Sequence, residues 1–149
     1  MRLTQETVEA MRRQAIAEYP SECCGIVTGT AARQRVHPCR NRQDELHARD
    51  PEQHPRTSRE AFDIDRNEME RIFAEAAAAG EQIVALYHSH IDCGAYFSRM
   101  DQEVQTVFGE PEFPKAMHVV VSVQQGVVRE IKSFRWVEES RDFESEAVV

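Results

Sequence analysis

The 149-residue chain reads as an α/β protein, a sandwich of helices around one mixed sheet. Three observations predict this. Amphipathic stretches of helical period occupy residues 4–18 and 66–79; short apolar runs of strand length lie between and after them; a turn signal, Gln124-Gln125-Gly126, joins the last two runs. The predicted order is α-β-(loop)-β-α-β-α-β-β.

The first helix, residues 4–18, carries Val8, Met11, Ala15 and Tyr19 along one face. A strand follows at 24–28, with Cys24 as a small buried residue in it. Residues 38–59 are polar and rich in His, Arg, Asp and Pro, which predicts a long loop with His37, His47 and His54 in or beside it and solvated. The helix at 66–79 stops at Gly80, as a glycine just past a helix end would stop it.

Gln82 to Tyr87 form a nearly continuous apolar run, the pattern of a strand buried on both faces. It ends in His88-Ser89-His90. Alternation on a strand sends residues i and i+2 to the same side, so the two imidazoles project together and can share one ion. A further amphipathic stretch at 99–108 predicts a helix with Ser98 as its N-cap and Gly109 as its stop. Ser98-x-x-Asp101 has two readings. It is a capping box that satisfies backbone N–H groups, and the seven-residue loop after His90 is also long enough to return Asp101 to the same ion. Strands at 116–123 and 127–136 complete the set.

His88, His90 and Asp101 as ligands would leave a zinc ion one open position for water, the arrangement of a catalytic site rather than a closed structural one. A non-ligand carboxylate must then accept a proton, and Glu22 in Ser-Glu-Cys-Cys-Gly is the candidate.

Glu22, His88-x-His90 and, seven residues on, Ser98-x-x-Asp101 resemble the JAMM (MPN+) family of zinc metalloproteases and isopeptidases. Residues 19–29 and the Phe62-Asp63-Ile64-Asp65 block extend the resemblance from about residue 3 to residue 135. It implies a single-domain MPN fold, a mixed curved sheet flanked by helices and related in layout to the cytidine deaminase-like fold. It also implies one Zn2+ per chain on His88, His90 and Asp101, with Glu22 as base and Ser98 as hydrogen-bond donor to the developing oxyanion. The implied substrate is a ubiquitin-like sulfur-carrier protein, cut after its Gly-Gly end to release cysteine or a C-terminal extension. Many relatives carry proline where this chain has Ile91, so residues 91–97 are expected to form a more mobile loop. The alternative is a non-catalytic MPN-type binding module, which has no physical need for all five groups.

Composition narrows the classes. A net charge of −8 opposes nucleic-acid binding. No run of about 18 apolar residues is present and residues 1–4 lack the apolar core of a signal peptide, so a cytoplasmic protein away from membranes is expected. Four cysteines, two of them adjacent, suit reduced thiols. Cys93 in the loop beside the histidines is an inert surface thiol, an adventitious ligand or a redox brake. A zinc deaminase is excluded, because Pro38-Cys39 lacks the second cysteine and no His-x-Glu precedes it. One domain is expected over residues 1–137, followed by an acidic, flexible tail at 138–149. The oligomeric state is left open, a homodimer among the options.

Overall fold

The computed structural model describes residues 1–149. Helix α1 (Gln5–Glu18) starts at Thr4, whose side chain accepts the Thr7 N–H, and strand β1 (Cys24–Gly29) follows. Strand β2 (Gln34–Cys39) and helix α2 (Gln43–Arg49) come next, then α3 (Arg66–Ala78), β3 (Gln82–Ile91) and α4 (Arg99–Val104). A two-stranded ribbon, β4 (Thr106–Val107) and β5 (Glu110–Pro111), leads to β6 (Met117–Gln124), β7 (Val127–Val137) and β8 (Asp142–Glu146).

Six strands form one sheet in the order β2-β1-β3-β6-β7-β8, and only β3 and β6 run parallel. That pair has to be joined by a crossover, and α4 with its ribbon lies in that connection. The sheet is therefore mixed, as expected. On one face α1 covers the centre, with Met11 and Ala15 packed against Val27, Tyr87, Val119 and Val121. Gly25 faces Tyr87 across the β1–β3 pair, and a Cβ there would lie 2.2 Å from the Tyr87 hydroxyl. Only glycine lets that ring lie flat over the strand.

Four expectations need correction. The second strand precedes the polar stretch instead of following it: β2 is an edge strand that includes Pro38, whose missing N–H is harmless at an edge. Within the supposed loop, α2 forms over 43–49. Helix α4 ends at Val104 because Phe108 and Gly109, both at positive φ (51° and 78°), turn the β4–β5 ribbon. Gly109 is thus a turn residue, not a helix stop. Finally, residues 142–146 of the supposed flexible tail pair with β7 as β8, and Phe143 is buried against Phe97, Phe134 and Trp136.

Gly80, at φ 70°, ends α3 as expected. Cys24 is buried in β1, also as expected. No helix is long and apolar enough to cross a membrane.

Candidate metal centre

His88 and His90 lie near the end of the buried part of β3, and alternation directs both rings to the sheet face away from α1. Their centroids lie 5.0 Å apart. Ser89 points the other way and has work of its own. Its Oγ accepts the Cys23 N–H at 2.7 Å, while its own N–H donates to the Cys23 carbonyl at 3.0 Å. This clamp fastens the segment just before β1 to the histidine strand, and so carries Glu22 to the site. The Glu22 backbone is held twice more, its N–H donating to the Ser58 carbonyl at 2.7 Å and its carbonyl accepting from Asn41 Nδ2 at 3.0 Å.

Asp101 is the third residue of α4. Its N–H donates to Ser98 Oγ at 3.0 Å, and its Oδ2 accepts the Ser98 N–H at 3.0 Å, a reciprocal capping box. The same Oδ2 lies 3.2 Å from Nε2 of both His88 and His90. The cap and the convergence on the histidines are therefore simultaneous: the first turn of α4 aims the carboxylate it uses to cap itself.

The imidazoles are oriented from behind. His90 Nδ1 lies 2.9 Å from the Gly94 carbonyl, which can only accept, so Nδ1 carries a hydrogen and Nε2 is turned toward Asp101. Tyr96 meets the His90 ring edge-on at 4.8 Å, and Phe62 stacks on His88 at 4.5 Å and 22°. The loop that carries Gly94 and Tyr96 is tied down rather than loose. Asp92 accepts from the Tyr19 hydroxyl and the Gln125 N–H, the Cys93 carbonyl accepts from Ser122, and the Ala95 N–H donates to Glu130. These bonds do what proline after the second histidine was expected to do.

The electrostatics suit a bound cation. His88 Nε2 is buried without a hydrogen-bond partner, because its approach to Asp101 is out of line. Burial holds the His88 imidazole below its ordinary value, so the ring is neutral. Burial alone would raise the Asp101 carboxyl, but the two imidazoles and the Ser98 N–H bring it well below the usual carboxylate range. Glu22 goes the other way. Burial, and then the nearby Asp101 charge, push its carboxyl up to about 9.

The donor atoms of His88, His90 and Asp101 all lie within 4.8 Å of one another. Two imidazole nitrogens and one carboxylate, with the His88 nitrogen otherwise orphaned, fit a divalent ion of zinc's ligand preferences. Beside them opens a polar cleft of about 420 Å³ lined by Glu22, His90, Ser98 and Asp101, with Arg56, Glu60 and Cys93 on its walls. All five residues singled out in the sequence meet at one place. Cys93 borders the cleft but is not among the clustered donors. His37 pairs with Thr28, and His47 Nδ1 with the His54 carbonyl, away from the cluster.

Sequence reasoning missed four supporting residues. Ser89, inconspicuous in sequence between the two histidines, is a clamp. Asn41 bonds four backbone groups, those of Glu22, Ala61, Gln43 and Asp63, and an Asn two residues before a helix was its only signal. Phe62 gave none. His118, buried on β6 beside the site, was visible as the one ionisable residue in a largely apolar run.

The chain is similar to several known proteins. A CysO-cysteine peptidase of Mycobacterium tuberculosis is 29% identical over 138 residues, covering 89% of this chain and 80% of the relative. Tail tip assembly protein K of Escherichia phage N15 is 33% identical over 100 residues, 67% of this chain; the match spans only 34% of that much longer protein. Among solved structures, a protein of Desulfitobacterium hafniense superposes with a TM-score of 0.68 at 20% identity, covering 98% of this chain and 89% of the other. One of Salinibacter ruber gives 0.62 at 26% identity, with 100% and 90% covered. The family model for prokaryotic homologs of the JAB domain matches residues 4–137, and with the fold and the histidine–aspartate cluster in place, the chain belongs to that family.

Proposed function

We propose that this protein is a zinc-dependent metallopeptidase that hydrolyses the amide bond after the C-terminal Gly-Gly of a ubiquitin-like sulfur-carrier protein, releasing cysteine or a short C-terminal extension. The observation that carries this reading is the convergence of two imidazole Nε2 atoms and one carboxylate oxygen beside a buried, non-ligand glutamate. The CysO-cysteine peptidases among the relatives support the substrate class.

His88, His90 and Asp101 would hold the ion, which when bound polarises the scissile carbonyl and makes water acidic enough to attack at neutral pH. Glu22 takes the proton from the attacking water and delivers it to the leaving amine. Its raised carboxyl value belongs to the protein without a cation; a positive charge on the neighbouring ligands favours the carboxylate and readies it as a base. Ser98 Oγ accepts the Asp101 N–H, which leaves its own hydrogen free to donate to the oxyanion. A diglycine tail suits the approach, since residues without side chains can lie extended in a cleft bounded by Tyr96, Arg56 and Arg99.

The test is mass spectrometry of a sulfur carrier bearing cysteine or a short peptide after Gly-Gly, incubated with the zinc-loaded protein and with Glu22→Gln. Loss of the appended residues with the wild type alone is the expected result. Intact carrier in both, with zinc bound stoichiometrically, would overturn the peptidase reading in favour of a binding module.

A further inference from the structure

The metal-ligand group borders a second space. A cavity of about 280 Å³ is bounded by Phe62, Met69, Leu86, Phe97 and Val104, with His88 and Asp101 at one end. Glu22 and Ser98 do not line it; they face the polar cleft. The two spaces share Asp101, with His88 lining the cavity and His90 the polar cleft, so the ligand group borders both.

The charges around the cavity are already matched. Arg42 meets Asp63 at 2.8 Å and Asp65 at 3.2 Å, and Arg66 meets Glu112 at 2.6 Å. A charged ligand group would find no counter-ion free. Apart from Nε2 of His88, which belongs to the ligand group, one buried polar atom of the cavity lining lacks a partner: Nε2 of His118, a residue only 2% exposed. Its ring is held by Phe97 and Phe143, each 5.2 Å away. Burial keeps this imidazole neutral, and a neutral imidazole nitrogen is either a donor or an acceptor. A hydroxyl satisfies both cases. An apolar cavity of about 150 Å³ is already large enough to bind benzene, so this one has room for an aromatic ring.

We propose that the cavity is a side-chain subsite adjoining the scissile bond, taking an uncharged aromatic or long aliphatic side chain, with His118 Nε2 as the partner for a hydroxyl at its tip. The inference rests on the peptidase reading for its place in the reaction. On the acyl side the substrate ends in glycine, which has no side chain to insert, so the cavity receives the side chain of the residue that leaves. Cysteine would fill little of it, and an extension beginning with tyrosine, phenylalanine or leucine would fill it well.

The test uses carriers ending in Gly-Gly-X, with X glycine, cysteine, leucine, phenylalanine, tyrosine or aspartate, and compares kcat/KM for the zinc-loaded protein. Leucine, phenylalanine and tyrosine should exceed glycine at least tenfold, tyrosine should lead, and aspartate should be poorest. In His118→Leu the advantage of tyrosine over phenylalanine should vanish while leucine and phenylalanine are still cut. Equal rates for every X would overturn the subsite and leave the peptidase reading standing. Cleavage of none would overturn the peptidase reading, and a separate measurement then decides the cavity: phenol titrated into the zinc-free wild type, followed by NMR of the His118 and Phe97 side chains. Saturable shifts at both are expected, and their absence would overturn the subsite whatever the cleavage result.

Discussion

The two faces of the central sheet are built to different ends. The α1 face is one continuous core of thirteen buried residues, with Met11, Ala15, Val119 and Val121 fully buried. The opposite face holds two clusters of only four buried residues each, one under α3 and one around Phe97 and Phe143, and between them lie the cavity, His118 and the ligand group. Burying an apolar side chain contributes about 1.5–3 kcal/mol, whereas a buried polar group costs stability unless it finds a partner. The α1 face therefore stabilises the fold, and the other face gives up part of that gain to keep imidazoles and carboxyls out of water. Strand β3 serves both, with Ala85 and Tyr87 in one core and His88 and His90 in the site.

If this division is right, changes on the site face cost activity with little loss of stability, and changes on the α1 face do the reverse. Glu22→Gln should lower the cleavage rate by roughly 10²–10⁴, the range for a lost general base, with zinc retained; single-turnover assays beside metal analysis check both. Ser98→Ala should lower kcat by roughly 10²–10³ for the lost oxyanion donor, and thermal unfolding should register about 1 kcal/mol for the lost cap. A stability loss with kcat unchanged would leave Ser98 a cap only. Met11→Ala should cost about 2–5 kcal/mol in urea unfolding and leave zinc affinity of the folded protein unchanged.

A further effect is in pH, where two buried groups of the site face act in opposite directions in the zinc-free protein. An unfolded imidazole takes a proton below about 6.5, but folded His118 does so only near 3. Stability is lost as pH falls through that window, by roughly 2 kcal/mol between pH 6.5 and 5, and His118→Leu should remove that dependence. Glu22, raised to about 9, keeps its proton in the folded state where the unfolded chain has lost it. Its contribution is lost as pH rises from about 4.5 to 9, so Glu22→Gln should gain on the wild type across that range. Unfolding curves at pH 5, 7 and 9 separate the two.

Much of the site was legible because its chemistry needs local spacing. His88-x-His90 at the end of an apolar run fixes two imidazoles on one side by alternation alone, and Ser98-x-x-Asp101 marks a helix start whatever else it does. The choice between cap and ligand could not be made from spacing, and the fold removes the choice by using one oxygen for both. Glu22 was legible by resemblance; what brings it to the site, the Ser89 clamp and the Asn41 hub, depends on contacts between residues 19 or more apart in sequence. Strand β8 was hidden because an edge strand with one inward residue, Phe143, looks like a charged tail. Strand β2 was hidden by its proline, and the short α4 by a turn that places Phe108 at positive φ.

The most direct test is a calorimetric titration of zinc into the metal-free protein, alongside Glu22→Gln and His90→Ala. One ion per chain is expected for the wild type and for Glu22→Gln, with binding abolished in His90→Ala. Zinc bound equally by His90→Ala, or not at all by the folded wild type, would contradict the assignment of His88, His90 and Asp101 as a metal centre.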